Sequence, residues 1–536
     1  MEYWKQLVGY QIYPRSFKDS NHDGIGDLQG IISKLDYLQE LGVGLIWICP
    51  TFASPMDDNG YDISDYEDMH PDYGTMDDMK ELIQEADKRG MKIMLDLVMN
   101  HTSDEHRWFK EALANPESKY RNYYYFMEGE EAPCNWRSIF GGPVWEKVGD
   151  NLYYFHAFSK RQPDLNWRNP EMRQEMFGII KRWMEIGIAG FRVDAINIIK
   201  KAPFESHPAD GPDGLVSCFE YTRNVKGIEE LYEALSECFR ANNCVTVSEA
   251  IGAPYEELDI YIGEQGTFSM MFDFNYTNID VENEDYFKKR NWTIKEYRDL
   301  IYESQSKIQL KGWSAPFLEN HDQPRSVNKL IKNPAYYKEG AKALGMMNLL
   351  MRGTPFIYQG EELGTLNFKR SSVDEFDDLN ARSQYNQSLA AGFSEQQSVQ
   401  FLNERSRDNA RTPFAWNKEK YGGFSDHEPW IKMSEEYPVN NVEDQLKDPD
   451  SVLNFYKKTI ALRKEYPVFV DGWFEACPVN DHVISYIRKK EDEQMMVMVN
   501  LSDQVIDISV EGEVVLNTHK SYVDVLEPYQ GVVIKL

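Results

Sequence analysis

The pentapeptide Gly190-Phe191-Arg192-Val193-Asp194 lies between apolar residues, Ile186, Ile188 and Ala189 before it and Ile196, Ile198 and Ile199 after it, the pattern of a buried strand. Side chains alternate along a strand, so Arg192 and Asp194 share one face and Phe191 and Val193 the other. An arginine beside an acid favours the ionised carboxylate, the state in which a carboxylate attacks as a nucleophile. Glu249 closes a second apolar run, Val245-Thr246-Val247-Ser248-Glu249. Partial desolvation there raises a glutamic acid toward the range of a general acid. Asp322 follows His321, His101 ends Asp96-Leu97-Val98-Met99-Asn100-His101, and Asp62 lies in a loop after the apolar run 44–48. One acid of this kind is equally an ion pair or a helix cap. Four of them, with Arg192 and two histidines, point to a site. An ionised carboxylate and a protonated one are what glycoside hydrolysis requires. Asp322 and the neutral histidines suit hydrogen bonds to sugar hydroxyls.

These residues need a frame that gathers strand ends. Apolar runs at 10–13, 44–48, 92–98, 189–194, 245–249, 269–273, 313–319 and 355–359 alternate with helical patterns at 28–41, 79–89, 171–186, 228–240 and 338–351. Alternation of this kind predicts a parallel sheet with helices outside. Eight strands predict a closed (β/α)₈ TIM barrel, whose active site forms at the C-terminal strand ends. The rhythm breaks between 102 and 170, an aromatic and turn-rich stretch that reads as a subdomain inserted after strand three. A polar excursion covers 361–425, and a further helix is expected at 450–464. From 468 short alternating runs follow without helices, predicting a C-terminal antiparallel β-sandwich domain. The expected organisation is a catalytic barrel at 1–101 and 171–467, an inserted subdomain at 102–170, and the β domain at 468–536.

The 536 residues carry 58 basic and 88 acidic side chains, a net charge of −30. That excess disfavours nucleic acid and anionic membrane as partners, since both need a cationic face. No apolar run is long enough for a membrane span, and no signal peptide is legible. The six cysteines form no CxxC pair, which predicts a reducing, cytoplasmic setting without zinc or a disulfide framework. Oligomeric state is not encoded legibly.

Four motifs in order, Asp96–His101, Gly190–Asp194, Val247-Ser248-Glu249-Ala250 and Glu319-Asn320-His321-Asp322-Gln323-Pro324-Arg325, resemble those of the α-amylase family of glycoside hydrolases over nearly the whole chain. The resemblance implies Asp194 as nucleophile, Glu249 as general acid/base and Asp322 as transition-state stabiliser, with retention of anomeric configuration. It implies that Arg192, His101 and His321 hold the sugar in the first subsite and that Tyr61 stacks on its face. Gly60-Tyr61-Asp62-Ile63-Ser64-Asp65-Tyr66, Gln162-Pro163-Asp164-Leu165-Asn166 and Arg407-Asp408-Asn409-Ala410-Arg411-Thr412-Pro413 are similar to the family's oligosaccharide α-glucosidases, the oligo-1,6-glucosidase and maltase subgroup. There Asp62 and Arg411 would grip the terminal glucose, implying exo-acting release of single glucosyl units from short oligosaccharides. Ala195, after the nucleophile, points toward α-1,4 or mixed linkage, whereas Ile196-Asn197 is similar to the α-1,6 enzymes. Hydrolysis of trehalose-6-phosphate, or hydrolysis or isomerisation of sucrose, is the alternative within the family. A non-catalytic amylase-like relative is the remote one.

Asp19-Ser20-Asn21-His22-Asp23-Gly24-Ile25-Gly26-Asp27 places oxygen ligands at alternating positions: Asp19, Asn21, Asp23, the Ile25 carbonyl and Asp27. Gly24 permits the tight turn, as in the first part of a calcium loop. Position twelve is Gly30 rather than a bidentate glutamate, so the loop is no helix-loop-helix switch. The resemblance implies a structural Ca²⁺ bracing the barrel.

Overall fold

The computed structural model describes every residue except Pro212, Asn283, Glu284 and Val523. The chain divides into two compact units. One comprises Met1–Trp47, Gln84–Lys92 and Phe272–Leu536, and the other Ile48–Ile83 and Ile93–Met271.

In the second unit the strands Lys92–Val98, Gly190–Asp194 and Val245–Glu249 run parallel, with Gly190–Asp194 in the middle. All five residues of Gly190–Asp194 are buried. The register sets Arg192 opposite Asp96 on one neighbour and Val247 on the other. Gly190 makes that register possible, because a Cβ there would stand 1.7 Å from the Val245 carbonyl oxygen. Helix Pro170–Ile186 starts on the Asn169 cap, whose side chain accepts from the N–H of Glu171 and Met172. It stops at Gly187, held at φ 115°. The aromatics between residues 102 and 170 share a core with the segment after strand Gly190–Asp194, which contributes Ile198, Val216 and Cys218. Trp136, Trp145, Tyr153 and Phe155 pack together, beside antiparallel pairing of Phe126–Glu128 and Trp145–Lys147 with Leu152–Phe155.

In the first unit Gly9–Ile12 pairs parallel with Phe356–Tyr358. The run 313–319, expected as a strand, is not one. Pro316 has no N–H to give a ladder. The segment's carbonyls accept, from Thr354 N to Ser314 O at 2.9 Å and from Phe356 N to Pro316 O at 2.8 Å. The helix expected at 28–41 is two, Leu28–Ile32 and Leu35–Leu41. The Ser33 hydroxyl donates back to the Gly30 carbonyl at 2.6 Å at the break. Near the C-terminus five antiparallel strands form one sheet, ordered Trp473–Ala476, Val483–Lys490, Glu493–Asn500, Gly531–Lys535, Glu513–Asn517. Arg463 and Arg488 are buried beside it and donate to main-chain carbonyls, including that of Phe469, which they share.

Candidate active site

The strand register of the second unit builds the first cluster. Arg192 Nη1 is 2.7 Å from Asp96 Oδ1 and 2.6 Å from Asp194 Oδ1, and Nη2 is 2.8 Å from Glu249 Oε2. Asp194 and Glu249, the two acids expected to do the chemistry, therefore meet on one buried guanidinium. The arginine does not belong to Asp194 alone, as one strand read in isolation suggests; nearness to it does not tell nucleophile from acid. Asp96, which the sequence reading did not single out, is the third carboxylate. Burial pushes its pKa up to about 6 against the pull of Arg192 and of the Tyr61 hydroxyl. That hydroxyl donates to Asp96 Oδ2 at 2.9 Å.

Ala195 adopts φ 40°, ψ 38°, a left-handed turn at the end of the strand, and its N–H donates to Glu249 Oε2, 2.9 Å away. His101 is fully buried, and burial lowers its pKa to about 4, so the ring is neutral above that pH. Its Nε2 lies 3.1 Å from the Tyr61 carbonyl, and Asn100 Nδ2 lies 3.2 Å from Nδ1. Gln162, from the QPDLN motif, places Nε2 3.1 Å from His101 Nε2 and donates to Asp58 Oδ2 at 3.1 Å.

Asp62 requires a correction. It has no exposed surface. Its carboxylate accepts from the N–H of Asp57 and Asp58 and from the Ser54 hydroxyl, at 2.8 to 3.0 Å. It staples its own loop and presents nothing to a sugar. Burial pushes its pKa up to about 6. The acid that stands beside His101, through Gln162, is Asp58. Its position two residues before Gly60-Tyr61 was the available signal.

The first unit holds the second cluster. Asp322 is partly exposed. Its Oδ1 takes Arg411 Nη2 at 3.0 Å and Arg407 Nη1 at 3.3 Å, and its Oδ2 lies 3.1 Å from His321 Nε2. Gln11, at the end of its strand, sets its amide nitrogen 2.8 Å from His321 Nδ1, so Nδ1 accepts and Nε2 carries the proton of the neutral ring. Arg411 is fully buried and also donates to the His321 carbonyl. Arg407, named in the sequence only as the head of its motif and given no role there, divides itself between Asp322 and Asp378. Burial works to raise Asp378, and Arg407 and Arg411 outweigh it and hold the carboxyl below its ordinary range.

In the loop 19–27, Asp19 accepts from the N–H of Asn21, His22 and Gly24 and from the Ser425 hydroxyl. Burial works against these bonds, which still hold its pKa low. Asp27 caps helix Leu28–Ile32 through the Gly30 N–H. Gly24 sits at φ 89°, where a Cβ would lie 2.2 Å from the Glu428 carbonyl. Among the described residues no Lys or Arg pairs with Asp19, Asp23 or Asp27, and no cluster of three His, Cys, Asp or Glu side chains could hold a metal by itself. An oxygen site here therefore needs Asn21 and the Ile25 carbonyl as well. The donor chemistry, hard oxygens with uncompensated negative charge, fits a hard cation.

Residues 11–472 match the family described as alpha amylase, catalytic domain, and the chain belongs to that family. It is an enzyme, a glycoside hydrolase, with the family's barrel and an antiparallel C-terminal β domain. It is 44% identical over 510 residues to "Probable oligo-1,6-glucosidase 3" of Bacillus subtilis (strain 168), covering 93% of this chain and 91% of that one. It is 39% identical to the oligo-1,6-glucosidase of Bacillus cereus, covering 100% and 99%. Among solved structures, isomaltulose synthase from Klebsiella sp. LX3 superposes with a TM-score of 0.95 at 35% identity, covering 100% and 99%. Trehalose-6-phosphate hydrolase from Bacillus licheniformis does so at 0.93 and 35%, covering 99% of each chain.

Proposed function

We propose that the protein is an exo-acting, retaining α-glucosidase that releases glucose from the non-reducing end of short α-glucosides, α-1,6 bonds foremost. The observation that carries this reading is the meeting of Asp194 and Glu249 on Arg192. Retention comes from the family resemblance, and two carboxylates held by one guanidinium supply the nucleophile and the acid it requires. Asp194 attacks the anomeric carbon and forms a glycosyl–enzyme bond while Glu249 gives its proton to the departing oxygen. Glu249 then takes a proton from water, which attacks the same carbon and restores free Asp194. Asp322 stabilises the positive transition state, and Tyr61, His101, His321 and Arg411 position the glucosyl ring. The names of the relatives favour α-1,6 linkage, and the small Ala195 side chain supports some breadth toward α-1,4.

Asp19, Asn21, Asp23, Ile25 and Asp27 are assigned to a structural Ca²⁺, which would neutralise the loop and fix its turn. The inserted subdomain at 102–170 and the β domain from 468 remain the proposed domain boundaries. No described helix is long and apolar enough to cross a membrane. All six cysteines are free, which supports a reducing, cytoplasmic setting.

Glucose release from isomaltose, maltose, sucrose, trehalose and trehalose-6-phosphate tests the reading. Isomaltose should be cleaved fastest, and Asp194→Asn should lower turnover on it by about 10⁴-fold or more with the fold intact. Preferential cleavage of trehalose-6-phosphate, or conversion of sucrose to an isomer, would move the assignment to those activities. Undiminished turnover in the variant would remove Asp194 from the mechanism.

A further inference from the structure

The second unit carries a groove of about 580 Å³ whose lining includes residues of strand Asp65–Met69, the start of helix Arg107–Ala114 and helix Pro170–Ile186. None of the residues given roles above lines it. Its volume is that of a small-molecule site.

Three features mark it as built to receive something. Gly178 lines the groove from the middle of a 17-residue helix, where glycine costs about 1 kcal/mol relative to alanine. Packing does not demand it, since a Cβ at that position would meet nothing within 4 Å. The glycine keeps the space open. Second, Trp108 Nε1 and Tyr123 Oη are buried and have no hydrogen-bond partner among the described residues. Both residues line the groove and are at least 98% buried. A buried donor without an acceptor costs about 1–3 kcal/mol, and an acceptor settling at the groove floor would relieve it. Third, the rim charges nearly balance. Four carboxylates face three cationic side chains, and two pairs are already closed, Lys119 with Glu175 at 3.0 Å and Arg182 with Glu67 at 2.6 Å. His106 is neutral, its pKa lowered to about 3 by burial. Such a rim selects neither a strong anion nor a cation. It offers donors and acceptors side by side, as a neutral, many-hydroxyl ligand requires.

We propose that this groove is a second carbohydrate site, binding glucosyl units of an oligosaccharide away from the reacting bond. The choice of sugar rests on the glucosidase reading; the groove and its unpartnered donors do not.

Isothermal titration of the Asp194→Asn enzyme with isomaltotriose should show two binding events. Adding Gly178→Trp should remove one and leave the other. Tyr123→Phe, which deletes a hydroxyl with no partner in the free protein, should weaken the same event about tenfold. In otherwise wild-type enzyme, Gly178→Trp should hydrolyse p-nitrophenyl α-glucoside as the parent does, which establishes that it folds. A single event unchanged by Gly178→Trp and by Tyr123→Phe would overturn the groove while leaving the glucosidase reading untouched. No event in any variant would overturn the groove as well, and isomaltose hydrolysis by the unmodified enzyme then decides the glucosidase reading separately.

Discussion

The backbone N–H of Ala195 donates to Glu249 at 2.9 Å from a residue held at φ 40°. The residue that follows one acid thus orients the other, and it does so from a conformation that costs an L-residue about 1–2 kcal/mol. Ala195→Val keeps the N–H, adds two methyl groups beside the reaction centre, and puts a β-branched side chain into left-handed space. Its turnover of maltose should fall relative to isomaltose by about tenfold or more, the scale on which pocket methyl groups discriminate. The ratio of kcat/KM on the two disaccharides measures it, and an unchanged ratio would take linkage choice away from Ala195.

Arg192 serves three carboxylates with two terminal nitrogens. Lysine is a point charge and cannot reproduce that fork. Arg192→Lys should therefore leave a buried carboxylate short of a partner, at a cost of about 3–5 kcal/mol in stability. Its kcat on isomaltose should drop by about 10²-fold or more, with KM changed less. Denaturant midpoints and steady-state kinetics read the two effects. A variant with parental kcat would show that the guanidinium is structural only.

His106 caps helix Arg107–Ala114 by accepting from the Trp108 N–H at 3.1 Å, which it can do only while neutral. Its folded pKa of about 3 lies below the ordinary 6.5. The unfolded chain therefore binds more protons between those values, and stability from this group is present above 6.5 and declines as pH falls toward 3. His106→Asn keeps a capping acceptor without titrating. The stability of the variant relative to the parent should rise by about 1.4 kcal/mol for each pH unit below 6.5. Denaturant midpoints of both proteins at pH 7 and pH 5 test it; parallel pH profiles would contradict the buried neutral ring.

Removal of calcium by EDTA should lower the thermal midpoint by about 2 °C or more, and added Ca²⁺ should restore it. Asp23→Ala should abolish that response while leaving activity on isomaltose near the parental level. A midpoint indifferent to EDTA and Ca²⁺ in the parent would discard the metal assignment.

Much of the first cluster was legible in one dimension. Alternation put Arg192 and Asp194 on one face, and the two acids end adjacent strands as the apolar runs indicate. The third partner, Asp96, was not, because its meeting with Arg192 depends on register between strands nearly a hundred residues apart. Asp62 misled for a related reason. A polar residue in a loop looks available, yet its oxygens were consumed by N–H groups four and five residues upstream. Pro316 was visible and should have weakened the strand expected at 313–319. Arg407 stands in the same motif as Arg411, but nothing in one dimension shows that both cations reach Asp322, 85 and 89 residues before them.

Asp322 owes its setting to arginines made long after it. Arg407 and Arg411 follow it by 85 and 89 residues, and the carboxylate of Asp378, which steadies Arg407, lies between. During synthesis Asp322 must wait, without these two cations, until the ribosome has passed residue 411. A nascent chain stalled before that point would carry the third acid but not the grip that fixes it, so acquisition of this corner is a late event in the birth of the enzyme.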